Sequence, residues 1–377
     1  MQVGRTLFLW LLMLLPFVKG YASGLKEEAS IGFDTYSDNG DVQVYSPTVM
    51  LMKSLTKELF LNFRMRIDAI SAASIRDGGA TQPATVASAS AHGDEDEGPM
   101  FDDVRYAPSL AASYDDGVNA GSAGVYYTTE QDYDGFSFFG SYVRQFNEQN
   151  TALGIGFSQS SDTWSPNNGR QLPVDYRKER KIDFSVNQLL SPTAQVQFVY
   201  SNLYSDGFLA SPYHYVEDGR YTLYENYPDR RTGHAFAMKG VMMLDRDDSL
   251  HGGYRYYYDD WGIVSHTANV EWLRDFSASV TSGLRFRYYT QTAADFTKQV
   301  DGYSRSDPYV VVDYRMSAFD SFDIGIPFIY KPSPTGDVKW SASIDYYQTS
   351  DNAYIQNWYN VPKLQALYTT LTVEFGY

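Results

Sequence analysis

The chain has 377 residues, no cysteine, a formal net charge of −16 and an aromatic content of 16%, with 33 Tyr, 22 Phe and 6 Trp. The missing thiols exclude disulfides, a thioether lipid anchor and thiolate metal sites. The acidic balance argues against nucleic acid as a partner.

The N-terminus reads as a secretion signal. Arg5 supplies the positive start, Leu7 to Val18 the apolar run, and Gly20, Ala22, Ser23 and Gly24 the small residues of a cleavage site. The expected organisation is a signal peptide over 1–22, followed by one domain over 23–377. No later run reaches 18 consecutive apolar residues, so no spanning helix is expected.

Beyond the leader, the recurring signal is alternation with period two. In Leu59 to Ala69 the residues Leu59, Leu61, Phe63, Met65, Ile67 and Ala69 share one face. Asn62, Arg64, Arg66 and Asp68 share the other. The same pattern recurs at 152–158, 181–187, 283–289 and 339–347. A strand with arginines on one face and large apolar groups on the other suits a wall between lipid and a watery lumen. A charge facing lipid at mid-bilayer costs about 2–4 kcal/mol.

The expected fold is all-β: a transmembrane antiparallel β-barrel of about 16 strands (range 14–18). The strands fall at roughly 28–36, 41–53, 58–70, 103–114, 121–131, 134–146, 151–161, 179–190, 194–205, 231–244, 250–259, 263–273, 278–291, 321–331, 338–349 and 364–377. Short turns alternate with long connections near 70–103, 162–178, 206–231, 292–320 and 350–363, as periplasmic turns alternate with external loops in such barrels. Two outer hairpins, 36–41 and 259–262, are expected to be tight. Asp307 to Ser317 also reads as a strand, but a seventeenth would leave the C-terminus outside the cell, so it is assigned to an external loop. Tyr213 to Tyr227 is read as a rim hairpin extending the wall. Gly79 to Pro99, with Asp94 to Glu97, is read as a solvated external loop and not a calcium site. Pro47 and Pro327 are awkward, because each deletes a ladder donor.

At the C-terminus Leu371, Val373, Phe375 and Tyr377 share one face and end on an aromatic residue. This resembles the strand that outer-membrane barrels present to the barrel-assembly machinery. From about Ser30 to Tyr377 the chain also resembles a bacterial family catalogued as a domain of unknown function, family 3570. The resemblance rests on Ile67 to Ser74, Tyr227 to Phe236, Tyr254 to Trp272, Leu284 to Phe296 and Asp313 to Ser321. Thr297 stands where that family usually has Tyr. The resemblance implies an outer-membrane barrel, brings no known activity or functional residues, and hints at partners in envelope redox systems.

The candidate site is the lumen lining: Asn62, Arg64, Arg66, Asp68, Lys181, Asp183, Lys239, Arg255, Arg285, Arg287, Asp345 and Glu374. Opposed rows of Arg and acid across a constriction select solutes; in a narrow barrel they pair into a plug instead. Ser265 and His266 are adjacent and point to opposite faces, so they form no nucleophile–base pair. His266 is placed on the lipid side with Val264, Ala268 and Val270, while His234 and His251 lie on other strands. The expectation is a non-enzymatic outer-membrane channel or transporter for small hydrophilic solutes, with no cofactor and no metal. The alternative is a non-conducting envelope scaffold for partner proteins, redox proteins among them; an outer-membrane hydrolase is the third reading. Expected partners are outer-membrane lipid and lipopolysaccharide, the assembly machinery and a periplasmic protein, in a Gram-negative bacterium.

Overall fold

A computed structural model describes residues 27–71, 101–165, 175–218, 221–333 and 337–376. The signal peptide expected over 1–22, the acidic segment at 79–99 and Tyr377 lie outside the described residues. Sixteen antiparallel strands close on themselves. In chain order they are β1 (Glu27–Asp38), β2 (Gln43–Ser54), β3 (Leu59–Ser71), β4 (Phe101–Asp115), β5 (Asn119–Thr129), β6 (Tyr133–Phe146), β7 (Thr151–Trp164), β8 (Asp175–Ser191) and β9 (Ala194–Gly207). A separate hairpin of β10 (Tyr215–Asp218) and β11 (Tyr221–Tyr224) interrupts the wall. The wall resumes with β12 (Arg230–Met243), β13 (Asp248–Asp259), β14 (Val264–Ser277), β15 (Val280–Gln291), β16 (Phe319–Tyr330), β17 (Val338–Thr349) and β18 (Gln365–Phe375). β1 seals the barrel against β18, from Ala29↔Phe375 to Asp38↔Ala366.

The ladders decide which side each residue takes, because cross-strand partners share a face. One face of every wall strand carries exposed apolar side chains; Ile344 is 57% exposed and Ile326 55%. In water such a continuous belt would be a large penalty, whereas in a bilayer it meets acyl chains. Closure removes the sheet edge that a bilayer cannot satisfy. Leu371, Val373 and Phe375 belong to this outer face.

The prolines are accommodated by gaps in the ladder. The β2–β3 ladder steps from Tyr45↔Ala69 to Thr48↔Arg66 around Pro47, and β15–β16 from Ser282↔Phe328 to Arg285↔Gly325 around Pro327. Neither gap changes the register, so each proline loses its ladder bond on one side without displacing the strand. Ser282 Oγ donates to the Pro327 carbonyl at 2.8 Å, which uses one of the acceptors left there.

The hairpin at 215–224 corrects one sequence expectation. It does not lengthen the wall; it pairs only with itself, and Leu223 and the following Tyr227 turn into an apolar cluster at the long-loop end. Loop segment 307–317 lies there too, tied by an isolated bridge between Val310 and Asn226 and a 3₁₀ turn over Tyr314–Met316. Helix α1 (Ala353–Tyr359) completes the cluster. Asn352 starts it by accepting from the amides of Tyr354 and Ile355, and Asn360 ends it in the left-handed conformation. Trp261, Val311, Tyr314, Ile355 and Leu364 are buried together against the wall residues Tyr347 and Ala366. This end of the barrel therefore carries its own core, a cap made of four loops.

Candidate functional site in the barrel lumen

Ladder parity puts the candidate residues on the face opposite the apolar belt. Asn62, Arg64, Arg66 and Asp68 alternate with Leu61, Phe63, Met65 and Ile67. Lys181 and Asp183 alternate with Ile182 and Phe184. Lys239, Arg255, Arg285, Arg287, Asp345 and Glu374 follow by the same rule. Their partners divide them into three groups.

The first is a buried network across β1–β4. Asp68 is 0% exposed and Arg105 2%. Arg105 Nε donates to Asp68 Oδ2 at 2.7 Å and its Nη2 contacts the same oxygen. Ser46 Oγ donates to Asp68, Arg66 Nε donates to Asp68 Oδ1 at 2.7 Å, and Arg66 Nη1 reaches Asp34 at 3.1 Å. Arg66 is thus committed to structure, although it shares its face with Arg64. Such a cluster persists in a low-dielectric site only because every member is paired.

The second group pairs while remaining open to the lumen. Arg285 meets Asp345 at 2.5 Å and Glu271 at 3.6 Å, and Arg287 meets Asp323 at 2.9 Å. Lys181 meets Asp183 at 3.0 Å, and Lys339 meets Glu374 at 3.0 Å. Asn62 donates to Ser113 at 2.8 Å.

The third group is cationic and has no acidic partner among the described residues: Arg64, Lys239 and Arg255. Arg64 helps line a recess of about 480 Å³ with Glu28, Met50, Met52 and Glu374. The Arg255 guanidinium lies 5.1 Å from the Tyr257 ring centre.

Asp34, Arg105, Glu271, Asp323 and Lys339 complete these groups and were not among the sequence candidates. Their signal is register: each becomes an inward partner once its strand is aligned with its neighbour. Two further pairs stand towards the capped end. Arg177 holds Asp162 at 2.8 Å and stacks 4.7 Å from Trp164; Arg231 holds Asp259 at 2.6 Å and stacks 4.6 Å from Trp261.

The described histidines do not gather. His234 and His266 point outward and hydrogen-bond Tyr200 at 2.9 Å and Tyr254 at 2.6 Å, as interface aromatics do. His251 points inward, 3.2 Å from Ser249 Oγ. Ser265 is buried on the inner face and His266 exposed on the outer one. His214 was not singled out from the sequence. It sits in the cap, its Nδ1 3.0 Å from Glu225 and its ring 4.7 Å from that of Trp358.

A closed barrel with an apolar outer belt and a charged inner face defines an outer-membrane β-barrel protein. The chain belongs to the family described as "Protein of unknown function (DUF3570)", which matches residues 19–375. A comparison with curated proteins finds no match. Among solved structures, the chain is similar to a bacterial polysaccharide outer membrane secretin, at 8% identity over 94% of this chain and 99% of that one, with a TM-score of 0.53. It is also similar to a loop-deletion mutant of OmpT from Vibrio cholerae, at 9% identity over 93% and 98%, with a TM-score of 0.49. The outer membrane channel DcaP of Acinetobacter baumannii is similar at 9% identity over 94% and 99%, with a TM-score of 0.45. At these identities the likeness speaks for the fold.

Proposed function

We propose that the barrel is a channel in the outer membrane of a Gram-negative bacterium, passing small hydrophilic solutes. The observation that carries this reading is the exposure of charged side chains on the inner wall: Lys181 is 46% exposed and Arg287 41%. Ion pairs that plugged a dry interior would be buried, as the Asp68 cluster is. Sixteen strands are also enough to enclose an aqueous lumen. In this reading Leu371, Val373 and Phe375 present the last strand to the assembly machinery, and the apolar belt meets outer-membrane lipid and lipopolysaccharide.

The apolar cap favours a second reading, a non-conducting scaffold whose loops or turns hold partner proteins. Single-channel recording of the folded protein in a planar bilayer under a salt gradient separates the two. The channel reading expects steady conductance with a nonzero reversal potential. Folded barrels, shown by heat-modifiable migration, that stay silent would replace it with the scaffold.

A further inference from the structure

We propose that the β12–β15 wall carries a binding station for a small oxyanion, a solute bearing a carboxylate or phosphate group. This deepens the channel reading by naming the solute's charge class. Lys239 and Arg287 lie in one row of the wall, linked through the pairs Lys239↔Gly253, Gly253↔Asn269 and Asn269↔Arg287. Strands are about 4.8 Å apart, so the row places the two cations on either side of an opening about 14 Å wide at the backbone. Arg255 stands two residues along β13 from Gly253, on the same face and diagonal to Lys239.

The floor of this opening is built for access. Gly253 has no side chain, and the Asn269 amide lies across it: a Cβ at Gly253 would sit 2.4 Å from Asn269 Oδ1. Asn269 is exposed and has no side-chain hydrogen bond among the described residues. Its amide can therefore donate to a ligand.

The charge count at the station favours an anion. Among the described residues Lys239 is exposed and has no ion-pair partner, and the half-buried Arg255 has an aromatic neighbour but no carboxylate. Arg287 spends one amine, Nη1, on Asp323. The nearest other acid by register, Glu271, sits one pleat away and faces Arg285. Three cations thus meet one adjacent acid. A half-buried guanidinium without an acceptor is costly, and a planar oxyanion satisfies it with two parallel N–H···O bonds.

The test uses the full folded barrel in detergent, inorganic phosphate as the probe at low salt, and the same protein in a bilayer. The variant is Lys239→Gln with Arg255→Gln; both side chains keep amide polarity on a lumen face, so folding is retained. The control is Lys53→Gln with Lys178→Gln, which removes the same charge from the outer face. Titration calorimetry is expected to show saturable phosphate binding to the wild type and the control, weakened at least about tenfold in the variant by loss of two charged donors. In bilayers the chloride-to-potassium permeability ratio is expected to fall by roughly threefold or more in the variant alone. Phosphate affinity unchanged by the double substitution overturns the station, whatever the conductance. A silent barrel whose phosphate binding depends on Lys239 and Arg255 keeps the station and overturns the channel reading.

Discussion

Asp68→Ala is expected to lower the unfolding free energy of the barrel by about 3–5 kcal/mol, read as a shift of the urea midpoint in detergent micelles. Asp68 is the shared acceptor for Arg66, Arg105 and Ser46, and it and Arg105 are almost wholly shielded from solvent. Without it the Arg105 guanidinium stays buried on the wall with no carboxylate, and the loss of a partner costs far more than the intact pair contributes. The double variant Asp68→Ala with Arg105→Met is expected to recover most of the loss, because it removes the stranded charge and keeps apolar volume. An Asp68→Ala barrel as stable as the wild type would mean that the pair is solvated and not structural. By contrast Arg64→Ala, on the same strand face but without an acidic partner among the described residues, is expected to leave the midpoint within about 0.5 kcal/mol. Two arginines two residues apart thus serve different ends, one structural and one facing the recess.

That distinction was not legible in the sequence. Alternation gave Arg64 and Arg66 the same face, and period two alone treats them alike. Their separation depends on register: Asp34 pairs with Ser46, and Thr48 with Arg66, which sets the Arg66 guanidinium within reach of Asp34 two strands away. The wall itself was legible, because its rule is local and repeats in each strand. The strand assignments agree in number with the closed sheet and differ mainly at the ends; β8 starts at Asp175 where alternation suggests about Glu179. The cap was opaque for the opposite reason. Its core residues Trp261, Val311, Ile355 and Leu364 come from irregular loops, with no period to reveal them. Its polar contacts span long separations, such as Glu225 with the Val312 amide at 3.0 Å, 87 residues apart. Nor does aromatic composition reveal it: interface belts would account for many tyrosines, but Tyr227, Tyr303, Tyr314 and Tyr354 are spent inside the cap.

Glu225 is where the cap is most exposed to a single change. Its carboxylate accepts from the amides of Ser211 at 2.9 Å, Val312 at 3.0 Å and Asp313 at 2.8 Å, from the Tyr227 hydroxyl, and from His214. It thereby ties the loop after β9 to the loop after β15, while His214 packs on Trp358 of α1. Glu225→Ala strands several buried donors at once, each costing about 1–3 kcal/mol. Amide hydrogen exchange across 208–218, 221–229 and 292–318 is expected to accelerate by roughly a hundredfold, with the wall strands unchanged. Uniform exchange in wild type and variant would show that the apolar contacts alone hold the loops.

The same carboxylate gives the cap a pH dependence of defined sign. Burial opposes its ionisation, but the charge of His214 and the hydrogen bonds from His214, Tyr227 and the Ser211 amide outweigh burial and hold it at about 2 against an ordinary 4.5. Nearby, Asp313 is occupied by Arg315 at 2.5 Å. A carboxyl depressed in the folded state contributes stability that is fully present above 4.5 and is lost as pH falls towards 2. Protection of the cap in the wild type is therefore expected to fall between pH 4.5 and 2, whereas Glu225→Gln starts lower and stays flat over that window. If a channel runs beneath this cap, the acid window in which protection falls is also the one in which its conductance should rise. A wild-type conductance that ignores acidification while cap exchange accelerates would place the solute path clear of these loops.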